Sequence, residues 1–488
     1  MPAAALAQEP PPIGDRPTIA AHLDQAAIGR GAVGLDELMA HGSMLFLARF
    51  NTLDGQGRPA STGTGAPRVP VEPAFIRTSG PTSNSCAGCH IIPRIGGAGD
   101  FVANTFLQAE ALDPVARFVL PEFANERNTL GMHGSGPIEM LARELTRELI
   151  AIRETAREAA LIRARAGESP LDVEETRALV AKGIRFGEIT VRGDGKVNPS
   201  RIEGVDWDLI VKPFRHKGTS VSLREISDYS LNHHHGMQSS ERFGLGADPD
   251  GDGVTDEISV GDLTALAVYQ ASLGTPGQRI PADPAAARAA ETGRERFGQI
   301  GCAACHIAEL TLDDRRFQEP NPLNPPGQLS PANAGGGFAF DMTREGEKPR
   351  LEPVGTSGAI VRAFTDLKRH DLNDADFDHF ANERLADGTL FGFASPEEFY
   401  RVPERVGRST REFLTRKLWD VGSSDPYGHR GDLPMITEAI HVHGGEARAS
   451  RDAFFALPKA EQNEIVEFLK TLQVLPPGSP PRLQARAG

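Results

Sequence analysis

Apolar residues recur at helical spacing in two distant stretches of the chain. The first, near residue 262, reads DLTALAVYQASLGTP, and the second, near residue 461, reads EQNEIVEFLKTLQVLP. One helix face would collect Leu263, Leu266, Tyr269 and Leu273 in the first stretch, and Ile465, Phe468, Leu469 and Leu472 in the second. The repeat predicts two related modules, each closed by an amphipathic helix that ends before a proline.

Most of the remaining periodic stretches also indicate helix. A charged amphipathic stretch from about Pro137 to Arg165 predicts a helix with a solvated face, inside a helical insertion at about 134–205. Glycine, proline and asparagine are concentrated at 318–337, which predicts loops. Strand signals are few, so the pattern predicts a mainly α fold with long loops.

A Pro- and Gly-rich segment, GTPGQRIPADPAA at 274–286, lies between the two modules and predicts a linker. We place the division at about residue 280, with an N-terminal module at 31–280 and a C-terminal module at 281–480. Residues 1–30 are expected to be an export-signal remnant or a disordered tail. A length of 488 residues with 39% hydrophobic content is enough for a substantial core.

The four cysteines form two pairs within one repeated motif. SNSCAGCH holds Cys86, Cys89 and His90, and GCAACH holds Cys302, Cys305 and His306. Two thiols one turn apart can add to the vinyl groups of a haem, and the histidine that follows then serves as an axial ligand of the iron. Because the two motifs use every cysteine, we predict two covalently attached c-type haems.

A zinc site and a redox dithiol are the alternatives. More than two hundred residues separate Cys89 from Cys302, which is far beyond the spacing of a four-thiolate zinc knuckle. A redox dithiol would explain each pair of thiols but not the histidine behind it. Haem attachment accounts for all three residues of both motifs.

The net charge of −14 argues against nucleic acid and anionic membrane as partners. A redox partner with a basic patch, such as a small cytochrome c or a cupredoxin, would suit this charge. No apolar run is long enough to span a membrane. Ala5-Leu6-Ala7 before Gln8 has the form of a signal-cleavage site. Since c-type haems are attached outside the cytoplasm, we expect a periplasmic protein.

Four stretches together resemble the bacterial di-haem oxidoreductases, a family described as peroxidases and related to di-haem cytochrome c peroxidases. They are TDLKRHDLND, LWDVGSSDPYGHRGDLPMITEAIHVHGGEARASRDAF, PFRHKGTSVSLRE and NSCAGCHIIPRIGGAG. The resemblance covers roughly residues 40–475 and implies two cytochrome c-like haem domains. It implies that electrons pass from the C-terminal haem to a reactive N-terminal haem, with hydrogen peroxide as oxidant. An electron-transfer dihaem cytochrome and a di-haem oxygenase remain open.

The resemblance also assigns residues at the second haem. It makes His306 the proximal ligand and His370, in KRHDL, the sixth ligand, which would give a low-spin electron-transfer haem. His429 and His443 fall at matching family positions and are expected to contact the haem propionates or support the ligands.

At the first haem the chain departs from its relatives. His90 is the implied proximal ligand, but the family's tryptophan stretch is replaced by Phe214-Arg215-His216-Lys217, and its acidic residue by NHHHGMQ. We predict His216, His234 and His235 as catalytic acid/base residues and Met237 as a further haem contact. Two alternatives stay open: one of the residues of this stretch closes the iron as a sixth ligand, which would leave an electron carrier, or the histidines, including His233, form a surface cluster or an adventitious metal site.

An acidic loop, DPDGDGVTDE, follows this region. Asp248, Asp250, Asp252 and Asp256 suit oxygen ligation of calcium, although the twelfth position is Ser259 rather than the glutamate of an EF-hand. We predict a structural calcium; an unliganded acidic turn is the alternative.

Overall fold

The computed structural model describes residues 14–57, 83–104, 126–374 and 411–485. These ranges contain ten α-helices, and none of them is both long and apolar enough to cross a membrane. The helices are α1 (Gln25–Gly29), α2 (Leu35–Leu47), α3 (Ser135–Arg165), α4 (Leu223–Ser230), α5 (Ser240–Phe243), α6 (Val260–Ser272), α7 (Pro284–Gln299), α8 (Ile436–His441), α9 (Arg448–Ala456) and α10 (Lys459–Thr471).

Short strands pair into six small sheets: β1–β2, β3–β4–β5, β10–β11–β7, β12–β13, β14–β6–β15 and β8–β9. Their bounds are β1 (Gly99–Asn104), β2 (Glu126–Thr129), β3 (Glu174–Ala181), β4 (Ile184–Arg192), β5 (Val197–Asn198), β6 (Gly277–Ile280), β7 (Leu310–Leu312), β8 (Arg316–Glu319), β9 (Phe338–Asp341), β10 (Glu352–Val354), β11 (Gly358–Val361), β12 (Arg369–Asp371), β13 (Glu412–Leu414), β14 (Leu472–Gln473) and β15 (Arg482–Gln484).

The prediction of a mainly α fold with few strands and two cytochrome c-like domains is wrong. The chain has 35% helix and 17% strand, and its described part gives no evidence of cytochrome c-like domains. Most strands span only two to four residues, too few for an alternating pattern to be read. The exceptions are β1 and the β3–β4 hairpin, and the turn of the hairpin at Lys182 and Gly183 takes positive φ at both positions. The predicted helical insertion is therefore one helix followed by a sheet.

The long helix predicted from Pro137 to Arg165 is confirmed as α3. Its first two turns, however, are buried on every side, and a solvated face begins only near Arg147. Glu139 lies fully buried there, where it accepts hydrogen bonds from Leu223 N at 2.7 Å and Asn321 Nδ2 at 2.9 Å. The N-terminal half of α3 is therefore part of the core rather than an appended insertion.

The two closing helices are confirmed as α6 and α10, and each packs on a helix that precedes a CxxCH motif. Helix α2 contacts α6 through Gly42, and α7 contacts α10 through Gly293. A Cβ on either glycine would overlap a backbone carbonyl oxygen of the facing helix. The phenylalanine four residues further on, Phe46 or Phe297, is buried beside the motif histidine. The two halves of the chain thus repeat one construction.

Replacing Gly293 with alanine is expected to lower the free energy of unfolding by about 1–3 kcal/mol, because the new methyl group must push α7 away from α10. Gly298→Ala on the same helix is the matched control, since no heavy atom lies within 4 Å of its added Cβ. That control should be neutral or stabilising by up to about 1 kcal/mol. Denaturant unfolding of the haemylated protein measures both, and equal effects would contradict the tight crossing.

The two halves share one hydrophobic core. It includes Leu38 and Ile138 from the first half with Phe317, Phe340 and Val361 from the second. Strand β6, inside the predicted linker, lies between β14 and β15. Strands β8 and β9 flank the predicted loop at 318–337 and pair with each other. The boundary at residue 280 stays a prediction, but the chain on both sides of it is closely packed together.

Candidate functional site

A cavity of about 840 Å³ is lined by both CxxCH motifs. Its other wall residues are mostly apolar or aromatic and come from both halves of the chain. Protein interiors are close-packed, so a cavity of this size marks a site for a large ligand.

The two motifs adopt the same backbone turn. Each begins with a short 3-10 helix, at Cys86–Gly88 and Cys302–Ala304. The amide of His90 donates to the carbonyl of Cys86 at 3.0 Å, and that of His306 to Cys302 at 3.1 Å. In a helical turn, residues i, i+3 and i+4 lie on one side, so each pair of thiols and its imidazole face the cavity together. None of the four thiols is in a disulfide.

Both motif histidines are held in one tautomer. Nδ1 of His90 lies 3.3 Å from the carbonyl oxygen of Gly97, and Nδ1 of His306 lies 3.0 Å from that of Phe364. A carbonyl only accepts, so Nδ1 carries the proton and Nε2 carries the lone pair. Burial lowers the pKa of each ring to about 4, which keeps it neutral. A neutral imidazole anchored by its other nitrogen is the form that ligates a metal.

His370 lines the cavity beside Cys305 but does not offer a nitrogen to an iron. Nε2 lies 2.9 Å from Asp366 Oδ2 and Nδ1 lies 2.7 Å from Glu446 Oε2. Burial alone would lower the pKa of His370, but the hydrogen bonds to Asp366, Cys305 and Glu446 raise it to about 11. Both nitrogens are therefore engaged by carboxylates in this structure, and the role of His370 as the sixth ligand stays a prediction.

His443 has the features that His370 lacks. Its Nδ1 donates to the carbonyl oxygen of Ala439 at 2.6 Å, so its Nε2 bears the lone pair, as in His306. Burial lowers the pKa of His443. Its charge is the second largest cause, after burial, of the lowered pKa of His306, so the two rings are close enough to interact electrostatically. The structure thus brings a second anchored, neutral imidazole to the C-terminal motif.

At the N-terminal motif the cavity is bordered by the three consecutive histidines, which occupy a π-helical turn, Leu231–His235, directly after α4. His235 is nearest the motif: its Nδ1 donates to the Ser83 carbonyl at 2.6 Å and its Nε2 lies 3.5 Å from Cys86 Sγ. Burial lowers the pKa of His235, which keeps the ring neutral. His234 lines the same wall, against His233 at 4.7 Å between ring centroids.

Met237 does not reach the cavity wall. Its side chain is fully buried in a cluster with Phe46, Leu231 and Leu263, and it is absent from the cavity lining. The side chain belongs to the core in this structure, and the role of Met237 as a haem contact stays a prediction. An apolar thioether beside a helical turn fits this core as well as it would fit an iron, so sequence alone did not separate the two.

His216 and His429 form a buried pair on the cavity wall. Their rings meet edge to face at 4.7 Å, and Phe413 packs on His429 at 5.1 Å. Nε2 of His216 donates to the Asn128 carbonyl at 3.1 Å. Burial holds the pKa of His216 well below its usual value, and His429 lowers it further. This aromatic group lines the same cavity as both motifs.

The cavity wall is rich in cations. Among the residues that the structure describes, it contains one acidic residue, Glu446, and six basic ones: Arg127, Arg215, Lys217, Arg416, Lys417 and Arg451. Some of these basic residues form ion pairs with acidic residues outside the cavity lining. Nζ of Lys417, for example, lies 3.2 Å from Asp420 Oδ2. In a chain of net charge −14 this concentration favours an anionic ligand. Haem fits the wall, because its macrocycle is apolar and its propionates are anionic. Sequence reasoning did not bring these residues together, because they come from separate segments of the chain, near residues 127, 216, 416 and 451.

The acidic loop lies away from the cavity. Carboxylate oxygens of Asp248, Asp250 and Asp252 are all within 4.8 Å of one another. Asp256 is not part of this group and accepts from Ser240 Oγ at 2.8 Å and Gly246 N at 2.9 Å, so the structure brings together three of the four predicted calcium ligands. Ser259, at the twelfth loop position, is the N-cap of α6.

Comparisons with known proteins place one segment of the chain. No curated protein is significantly similar to it. Among solved structures, the "Kuenenia stuttgartiensis Hydrazine Synthase Pressurized with 20 bar Xenon" shares 18% identity, over 60% of this chain and 78% of that chain, with a TM-score of 0.27. Residues 405–472 match the family model described as "Di-haem oxidoreductase, putative peroxidase". This match confirms the resemblance predicted from the motifs, and through it the chain is similar to an oxidoreductase family whose name implies haem cofactors.

Proposed function

We propose that the protein is a periplasmic di-haem c-type oxidoreductase that reduces hydrogen peroxide. The observation that carries the proposal is the single cavity lined by both CxxCH motifs. Its wall is mostly apolar and also carries basic side chains. The imidazoles of His90 and His306 are each held in one tautomer by a hydrogen bond at Nδ1. The family match supports the oxidoreductase class, and the reaction is our inference.

Each motif supplies two thiols for covalent attachment and one axial imidazole, from His90 or His306. At the C-terminal motif His443 would help to hold the haem iron, because its anchored Nδ1 leaves the lone pair on Nε2. The bound haems would supply one-electron chemistry and an iron site for peroxide. Electrons are proposed to enter from a small cytochrome c or a cupredoxin at the C-terminal haem and pass to the N-terminal one.

The histidine turn is proposed to move the protons. Reduction of one hydrogen peroxide to two waters takes two electrons and two protons. His235 is neutral and buried on the wall beside Cys86, so its Nε2 can accept a proton from peroxide and return it. His234, on the same wall, is a second acid/base candidate. The His216–His429 pair is proposed to fill the space between the haems.

EPR of the haemylated protein tests this function. We expect one high-spin and one low-spin ferric signal, with the high-spin signal consumed by peroxide. Two low-spin signals that ignore peroxide, even after one-electron reduction, would instead indicate an electron carrier.

Replacing His235 with glutamine should lower peroxide turnover by about 10²–10⁴-fold, because it removes the proton acceptor. The visible spectrum of the resting protein should be retained. His441→Gln is the control, since His441 is exposed and lies outside the cavity lining. Equal turnover in both variants would remove His235 from the mechanism.

A further inference from the structure

The acidic loop holds a buried carboxylate that no hydrogen bond satisfies. Asp250 is only 7% exposed, and neither of its carboxylate oxygens has a hydrogen-bond partner. Both neighbours within 4.8 Å, Asp248 and Asp252, are also carboxylates. Burial, followed by repulsion from Asp252 and Asp248, raises the pKa of Asp250 to about 7. A buried ionised group is costly unless it is paired, so this arrangement calls for a cation.

Glu257 faces the same loop from the protein interior. It is 3% exposed, and its Oε1 has no hydrogen-bond partner. Burial raises its pKa to about 9, and the charges of Asp250, Asp252 and Asp248 contribute to the rise. Three carboxylates therefore converge on one place, and Glu257 is a further buried acid that feels their charge. Asp250 and Glu257 both have unsatisfied oxygens. Sequence analysis missed Glu257 and named its neighbour Asp256 instead.

Glu257 also connects this place to the histidine turn. Its Oε2 accepts from the amide of Gln238 at 2.6 Å, three residues after His235. On its other side it packs against Gly55, where an added Cβ would overlap its side chain. The position of Glu257 therefore bears directly on the backbone that follows the turn.

We propose that calcium binds among Asp248, Asp250 and Asp252, with Glu257 facing it from the buried side, and that bound calcium fixes the backbone of the Leu231–Gln238 segment. Hard oxygen donors at irregular spacing suit calcium better than magnesium, which demands near-octahedral geometry. None of the four carboxylates lines the large cavity, so the site is separate from the proposed peroxidase centre.

The test uses the full-length haemylated protein, stripped with EDTA and titrated with calcium chloride alone, with magnesium chloride as comparison. Calorimetry should find one calcium per chain, and the thermal midpoint should rise by several degrees. Hydrogen exchange should slow in the peptide that covers residues 231–240. Failure of the stripped protein to bind calcium would overturn the site, whatever its peroxidase activity. Calcium binding without protection of that peptide would overturn the coupling.

Three variants locate the ion. Asp250→Asn should weaken calcium binding at least tenfold, and Glu257→Gln should weaken it less. In EDTA, Glu257→Gln should melt above the wild type, because a neutral amide replaces a buried carboxylate; in calcium this order should reverse. Asp256→Asn is the matched control and should bind as the wild type does, because an asparagine oxygen can still accept from Ser240 and Gly246. Wild-type affinity in Asp250→Asn would overturn the assignment.

Discussion

Replacing Arg224 with methionine is expected to lower the free energy of unfolding by about 3–5 kcal/mol, because it leaves a buried carboxylate without its partner. Arg224 is fully buried on α4. Its Nε donates to Glu319 Oε1 and its Nη1 to Glu241 Oε2, both at 2.6 Å. Burial raises the pKa of Glu319, and the charge of Arg224 opposes that rise. Without the guanidinium, Glu319 must be protonated or stay ionised and unpaired.

The matched control is Arg163→Met at an exposed ion pair with Glu168, where solvent screening should keep the loss far below that at Arg224. Adding Glu319→Gln to Arg224→Met should recover part of the loss, since the stranded charge is removed. Chemical denaturation followed by far-UV circular dichroism measures all three. If Arg224→Met costs no more than the exposed control, the buried network does not stabilise the fold.

This buried ion-pair network is a feature of the fold that could not be predicted from the sequence. Arg224 and Glu319 lie 95 positions apart, on opposite sides of the predicted boundary, and no local pattern pairs them. By contrast, α6 and α10 follow from a period of 3.6 residues, and the turns of both CxxCH motifs follow from the spacing that attachment requires. Local periodicity therefore predicted the helices beside the site but not the core that joins the two halves.

The candidate site, like the fold, could be predicted only in part from the sequence. Every histidine and cysteine that lines the cavity had been named, because these residue types are scarce and chemically distinctive. The cationic wall could not be anticipated, since arginine and lysine are common on any surface. Glu257 was missed because its role depends on burial, which one sequence does not display. The β3–β4 hairpin was missed despite its Lys-Gly turn, because the stretch before it indicated a helical insertion.

His370 illustrates a different limit. Its flanking residues resemble the family and include Asp366, which engages one of its nitrogens, but Glu446, which engages the other, lies 76 positions further along the chain. Strand β12 pairs with β13 and sets His370 opposite Phe413. A match at one position cannot reveal which atoms the fold later brings against it.

Replacing His443 with alanine is expected to convert the C-terminal haem from low spin to high spin, whereas His370→Gln should leave it low spin. His443 presents an anchored, neutral imidazole near His306, while His370 donates both nitrogens to carboxylates. Low-temperature EPR of the ferric protein distinguishes the two variants. Added imidazole should restore the low-spin signal in His443→Ala, because it can enter the space that the side chain leaves.

The opposite pattern would support His370 as the ligand. In that case His370→Gln would show a high-spin signal, and His443→Ala would keep the low-spin signal. That outcome would require His370 to release Asp366 when haem binds, which leaves a carboxylate buried beside Cys305. Such a rearrangement costs free energy, because the buried Asp366 carboxylate would lose its hydrogen-bond partner. Ligation by His443 needs no hydrogen bond to break at Nδ1, so the iron would receive a nitrogen that the fold has already oriented.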